Sequence, residues 1–428
     1  MMSDISSILN ESARALAAAF DPNCLSPGFY ADPYPTYSAL REFAPVHRCP
    51  DGSYFLSRYA DLDRIYRDRR AFSADKKAVF GSKYGIGSPL YEHHTTSLVF
   101  NDPPYHTRVR RQIVGALTPH ALKAMEPKLI ALIDRLLDRI EMHGQCDLIE
   151  DFAAAIPVEI IGDLLRVPHA ERDPLRGWSL AILGALEPVL DAEQQARGDV
   201  AVMEFVDYLR TLIAERRKNP LGDDDMLTRL LREEQAAEPL TEHELLHNCV
   251  FLLNAGHETT TNLIGNGLHL LLTHENELQR LRAAPELIAT TVEECLRYES
   301  SNQFGNRLVV EQVEIAGTTL APGAYLTLCI GAANRDPQGF ADPDRFDIGR
   351  TPNPHLAFAV GAHACAGMSV ARLEARCALL RIVQRFPTLA LAGHPFRSNR
   401  ARFRGFRVLP AKIGNGYGGA WPGGAGSV

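Results

Sequence analysis

Cys365 lies in the run Phe358-Ala359-Val360-Gly361-Ala362-His363-Ala364-Cys365-Ala366-Gly367, with a glycine on either side, a histidine two residues before it and an aromatic seven before it. Glycines let a turn fold tightly around the sulfur, because a residue without Cβ tolerates unusual backbone angles and close approach. A thiolate held in such a loop can be the lone protein ligand on one face of a metal ion, as it is for haem iron in oxygen-activating centres. The competing reading is a buried structural thiol, the commoner fate of a free cysteine. Zinc is excluded by number: four clustered ligands are wanted, and His363 and Cys365 are only two.

A second constellation is Ala255-Gly256-His257-Glu258-Thr259-Thr260, inside an apolar helical stretch. A glycine and a carboxylate in mid-helix are poor choices for stability. Thr259 can bond back to a carbonyl four residues earlier and bend the helix. A hydroxyl beside a carboxylate at such an opening can relay protons; a kinked helix with a solvated carboxylate is the plain alternative. Glu294 and Arg297 stand at i, i+3, where they can pair, and such a pair on a surface contributes little. The Pro-rich meander that follows, Asp342-Pro343-Asp344-Arg345-Phe346, offers Arg345 to complete a buried Glu–Arg–Arg network. Two prolines lead into Tyr105-His106-Thr107-Arg108-Val109-Arg110-Arg111, and His106 and Arg110 share a helical face suited to clamping a carboxylate or phosphate.

These groups need a scaffold, and the pattern predicts a mainly helical one with a small β region. Apolar stripes at helical spacing run through 128–140 and 202–217. Thr241 and Glu244 form a capping box, opening a helix that runs without proline to about Thr273. Strands are expected at 54–57, 308–315 and 325–330, separated by the turns Ala316-Gly317 and Pro322-Gly323. The acidic run at 223–225 reads as the cap of the next helix more readily than as a cation site. One large domain is expected over residues 21–412, after an N-terminal extension (1–20) and before a Gly-rich tail (413–428) with little to pack.

The net charge of −7 argues against a nucleic-acid partner. Eight scattered cysteines read as reduced thiols, which places the chain in the cytoplasm. The greasiest stretch, 250–272, carries Asn254, His257, Glu258, Asn262, Asn266 and His269, too polar a load for a membrane span. The first twenty residues show neither a signal peptide nor an anchor.

The four motifs, in this order, resemble the cytochrome P-450 superfamily, the haem-thiolate monooxygenases, and most closely its soluble bacterial branch. The resemblance runs from Asp32-Pro33-Tyr34-Pro35 to Val408. It implies a single domain of that type, with haem b between the long central helix and the helix after the cysteine. Cys365 would be the axial iron ligand and Phe358 the aromatic beside it, with Gly367 and Ala255 also against the haem. His106, Arg110, His363 and Arg307 would bind its propionates. Glu258 and Thr259 would deliver protons during oxygen activation, with Gly256 beside the oxygen pocket, and Glu294, Arg297 and Arg345 would be structural.

Three departures stand out. Ala359 replaces a glycine common in relatives, a change expected to tighten the turn without moving the sulfur. Asn254 places an amide near the pocket, and the segment 300–304 is more polar than usual.

The resemblance further implies a monomer that inserts one atom of O2 into a lipophilic small molecule, by hydroxylation. Electrons would come from NAD(P)H through a ferredoxin and its reductase, since the chain ends soon after the cysteine helix. Arg108, Arg111, Arg372 and Arg376 would form a basic dock for that ferredoxin, or else a solvated charged face. Pocket candidates are Leu90, Ile182, Leu183, Asn254, Gln303 and Phe304, with the turn 403–406; they suit a substrate with a polar end, of terpenoid, polyketide or fatty type. Two rivals stand: a peroxygenase of the same fold, which the Glu258–Thr259 pair argues against, and a non-enzymatic haem sensor or carrier, which has no use for that pair.

Overall fold

The structure, a computed structural model, describes residues 2–116, 119–222, 225–232 and 238–414. The central helix spans Glu242–Thr273 and opens on the expected capping box. The Glu244 N–H donates to Thr241 Oγ1 (3.2 Å), and the Thr241 N–H donates to Glu244 Oε2 (2.8 Å). Satisfying those first-turn donors fixes where the helix starts. From Leu245 to Leu271 it is buried on most faces, which explains why its sequence is apolar nearly all round.

The cysteine helix, Met368–Arg385, packs against it with Leu373, Ala378, Leu379 and Ile382 in one apolar cluster with Leu263, Ile264, Leu268 and Leu271. Gly267 permits the close approach, since a Cβ there would stand 3.0 Å from Leu379 Cδ1. The stripe at 128–140 lies within a longer helix, Pro119–His143, that tolerates Pro127. Arg381 of the cysteine helix ties to this helix through Asp134 (2.6 Å).

Twelve short strands occur among the described residues: β1 Val46–Arg48, β2 Tyr54–Leu56, β3 Phe72–Ser73, β4 Gln145–Asp147, β5 Phe304–Val309, β6 Val313–Ile315, β7 Thr318–Leu320, β8 Tyr325–Cys329, β9 Ala390–Leu391, β10 Phe396–Arg397, β11 Phe406–Val408 and β12 Pro410–Lys412. The main sheet has the order β1-β2-β8-β5-β3, with β2 and β8 parallel and the other pairs antiparallel. The strand expected at 308–315 is two strands. β5 ends at Val309, and β6 begins a separate hairpin with β7, turning at Ala316 (φ 46°) and Gly317 (φ 79°).

Phe20 packs its ring 4.7 Å from that of Phe55, and Ala17 is buried, so the expected N-terminal extension joins the core at its end. Asp225 caps the helix Met226–Arg232, its carboxylate accepting the Thr228 N–H at 2.8 Å. The remainder of that acidic run, and the tail after Gly414, lie outside the described residues.

Candidate active site

The cysteine loop is held from both ends. The Cys365 N–H donates to the Phe358 carbonyl (2.8 Å), closing the loop on itself, and the Gly367 N–H is directed at the sulfur. Burial pushes the Cys365 thiol up, while Gly367, Arg110 and Arg372 act the other way. Ligation to a metal would remove the proton outright. Gly361 has φ +76°, and a Cβ on it would meet the Tyr66 carbonyl oxygen at 2.6 Å, so only glycine fits there. Phe358 lies under the Arg372 guanidinium, 4.8 Å from its ring centroid. Arg372 in turn is held bidentately by Glu293 (2.6 and 2.7 Å).

Around this loop gather side chains with few or no hydrogen-bond partners among the described residues. His106 is 2% exposed with both ring nitrogens unpartnered, and its ring lies 4.0 Å from that of His363, whose Nδ1 is unpartnered too. Burial, with Arg110 beside it, lowers His106 to about 4. Burial, with Arg307, His106 and Arg110 nearby, lowers His363 to about 2, so both rings are neutral. Arg307 is buried, its Nη1 meeting only the adjacent Asn306 carbonyl (2.8 Å).

Lys76 joins this group although no motif marked it. It is 2% exposed, and its Nζ is unpartnered, 5.0 Å over the Tyr325 ring. Buried donors this numerous require acceptors, and the two propionates of a haem on Cys365 would supply them. The residues fit the group: Cys365 would hold the iron, and His106, Arg110, His363, Arg307 and Lys76 the propionates.

On the central helix, Thr259 Oγ1 donates to the Ala255 carbonyl at 2.8 Å, the expected bond to a carbonyl four residues earlier. Glu258 does not face water. It is 5% exposed and grips the Arg400 guanidinium, with both carboxylate oxygens 2.6 Å from Nη1. Burial raises it to about 7, with Arg400 lowering and Glu187 raising it further. Arg400 also donates to the Leu180 carbonyl (2.9 Å), and its neighbours Ala401, Arg402 and Phe403 donate their N–H groups to the Glu187 carboxylate. The tip between β10 and β11 is therefore pinned to the central helix and to the segment around Glu187. Nothing in the sequence near Glu258 announces Arg400.

Several expected assignments are corrected. Gly256 turns toward the helix Ala155–Leu164, where a Cβ would come 2.5 Å from Ile161 Cδ1, and the carbonyl that Thr259 bonds is Ala255's. Glu294 and Arg297, expected as a buried structural pair, are both 0% exposed and bidentately paired (2.8 and 2.8 Å). The second arginine of that network is Arg350, whose Nε donates to Glu294 at 3.2 Å. Arg345 is exposed and contributes only its carbonyl, which accepts from Arg297 and Arg350.

Of the pocket candidates, Leu90 packs where a Cβ on Gly198 would touch it at 2.9 Å, and Ile182 shares that apolar cluster. Leu183, on the same helix as Ile182, is 7% exposed. Gln303 turns away to donate to the Ser300 carbonyl (2.7 Å), and Phe304 packs edge-on against Phe55 (5.4 Å), because the β5 register sends it to the N-terminal core. Within the turn 403–406, Arg404 pairs with Glu299 and Gly405 packs on Asn262, so both are structural. Asn254 is 1% exposed with both amide atoms unpartnered. The basic dock is largely neutralised, since Arg108 pairs with Glu244, Arg111 with Glu238 and Arg372 with Glu293. Only Arg376 has no carboxylate among the described residues.

The comparisons with known proteins agree with this geometry. The family model described as Cytochrome P450 matches residues 186–401. The chain is 35% identical to the biotin biosynthesis cytochrome P450 of Bacillus subtilis (strain 168), over 89% of this chain and 95% of that one. It is 36% identical to the vitamin D(3) 25-hydroxylase of Pseudonocardia autotrophica, over 85% and 89%. The crystal structure of P450BioI in complex with a hexadec-9Z-enoic acid ligated acyl carrier protein superposes with a TM-score of 0.86, at 34% identity, covering 90% of this chain and all of that one. No helix of the described residues is long and apolar enough to cross a membrane. With its cysteine loop, buried Glu–Arg pair and Thr259 back-bond in place, this chain belongs to the cytochrome P450 family and is an oxidoreductase of the monooxygenase type.

Proposed function

We propose that the chain hydroxylates a lipophilic small molecule bearing a polar end, in the cytoplasm, with electrons supplied by a separate ferredoxin and reductase. The observation that carries the reading is the pairing of a Thr259 back-bond with a Glu258 carboxyl that titrates near neutrality. When bound, a thiolate-ligated haem supplies the oxygen-activating chemistry. The chain's own residues do the rest. Cys365 presents its sulfur, and the Gly367 N–H tempers the charge there. His106, Arg110, His363, Arg307 and Lys76 hold the propionate edge.

Glu258 at about 7 can both hold and release a proton near neutral pH, which a proton relay needs. Thr259, one residue on, offers a hydroxyl whose bond to the Ala255 carbonyl leaves its oxygen free to accept. The Arg400 side chain holds Glu258 in place between uses. A peroxygenase would have no need of this pair.

The substrate class rests on two supports. Asn254 offers an unpartnered amide in a buried setting, and the relatives span an acyl chain, vitamin D(3) and polyketide biosynthesis. The test is Cys365→Ser. The parent, reduced under carbon monoxide, should show the red-shifted Soret band of a thiolate-ligated haem, and the variant should lack it. A band that survives the substitution would overturn the ligand assignment.

A further inference from the structure

Two cations on the substrate side have no carboxylate partner among the described residues. Arg402 sits at the tip between β10 and β11, two residues from the Arg400 that grips Glu258. Its Nη1 donates to Asn306 Oδ1 at 2.7 Å, and Asn306 is itself steadied by a bond to Thr327 Oγ1 (3.2 Å). The Arg402 Nε is buried without a partner and Nη2 has none among the described residues, so one edge of the guanidinium fork makes no bond.

Lys83, on the helix Lys77–Tyr84, donates from Nζ to the Glu187 carbonyl (2.7 Å), one acceptor for three donors. The Glu187 carboxylate cannot serve either cation fully, because it is already taken by the N–H groups of residues 401–403. The two cations feel each other: burial, and then Arg402, bring the Lys83 ammonium down to about 8.

Uncompensated charge in a shielded place is costly, and it persists where a ligand completes the pairing. Arg402 adjoins the group assigned to the propionates, since it acts on Lys76 together with Arg307, but five other side chains already converge on that edge. The open Nε–Nη2 edge has the spacing that accepts a carboxylate through two parallel bonds. We propose that Arg402 anchors the carboxylate of an acidic, long-chain lipophilic substrate, with Lys83 as the second cation over the same head group. This deepens the proposed function and rests on it for the reaction, though not for the binding.

The experiment titrates the purified holoprotein with dodecanoic acid and with methyl dodecanoate, read both by the haem spin-state change and by calorimetry. The parent should bind the acid at least about tenfold tighter than the ester, as a charge-assisted bidentate contact implies. Arg402→Leu should bring the acid down to the ester's affinity while the ester changes by less than about twofold; Arg402→Lys should restore part of the preference, and Lys83→Met should lower it about threefold. Equal binding of acid and ester by the parent, no binding of the acid, or a preference that survives Arg402→Leu would overturn the proposal. Loss of haem from Arg402→Leu would also overturn it, by assigning the residue to the propionates. Failure of the haem-thiolate reading would show separately, as a parent without the reduced carbon monoxide band, and calorimetry would still report the acid preference.

Discussion

On the cysteine side every oxygen of Glu293 and Glu294 is spent. Arg372 and His355 hold the first; Arg297, Arg350, Asn353 and the Asp347 N–H hold the second. On the proposed substrate side Arg402 and Lys83 keep unpaired donors, and Asn254 keeps an entire amide without a partner, among the described residues. A saturated network has one low-energy arrangement, so it can hold the sulfur of Cys365 in a fixed place. Unsatisfied groups carry a cost that only an incoming partner removes. On the proposed function, the reaction type belongs to the first region and the choice of molecule to the second.

The comparison breaks first at Arg297. Arg297→Leu leaves the Glu294 carboxylate buried with two of its bonds gone, which should cost about 3–5 kcal/mol and abolish stable haem-loaded protein. Arg350→Ala removes one bond to the same carboxylate and should cost about 1–3 kcal/mol. Arg345→Ala leaves the network's side chains intact and should stay within about 0.5 kcal/mol. Thermal unfolding of the three variants measures the order, and equal losses for Arg345 and Arg350 would refute the assignment of Arg350.

The two regions should also differ in pH response. Glu293 is pushed up by burial, but His355 and Arg372 more than offset this and hold it at about 2. Its contribution is therefore full above the ordinary value of 4.5 and is lost as pH falls toward 2. Glu258 lies the other way: its folded value of about 7 exceeds 4.5, so stability declines as pH rises between those values. Arg400 lowers Glu258, so Arg400→Met should move the Glu258 limb of the kcat–pH profile upward by about one pH unit. An unmoved profile would remove Glu258 from proton transfer.

How much of this was legible in the sequence depended on distance along the chain. The Thr241 capping box, the i, i+3 pair Glu294–Arg297 and the cysteine loop are local, and spacing alone placed them. Arg350 and Arg345 stand five residues apart in one meander, and spacing cannot say which side chain turns inward. Phe304 was lost to register, because adjacent residues of a strand face opposite ways and β5 sends this one to the aromatic core. Gly256 illustrates helix phase: a Cβ on it would meet Ile161, while Thr259 bonds the carbonyl of Ala255, one residue earlier. Arg400 and Arg402 lie more than a hundred residues from Glu258, and only the fold brings that hairpin tip to the central helix.

The smallest effect sharpens the cysteine side itself. Ala359 sits at φ +50°, in the left-handed region that costs a residue with a Cβ roughly 1–2 kcal/mol. The neighbouring Gly361 meets the same demand without that cost, and its Cβ-free approach to the Tyr66 carbonyl leaves no room for substitution. Ala359→Gly should relieve the strain, while the extra freedom of glycine in the unfolded chain takes back about 0.5–1 kcal/mol. The net is a gain of about 0.5 kcal/mol, read as a small rise in the thermal midpoint of the haem-loaded protein with the carbon monoxide band unmoved. A shifted band would mean that Ala359 sets the position of the Cys365 sulfur, and that the loop's strain, as well as its hydrogen bonds, tunes the ligand.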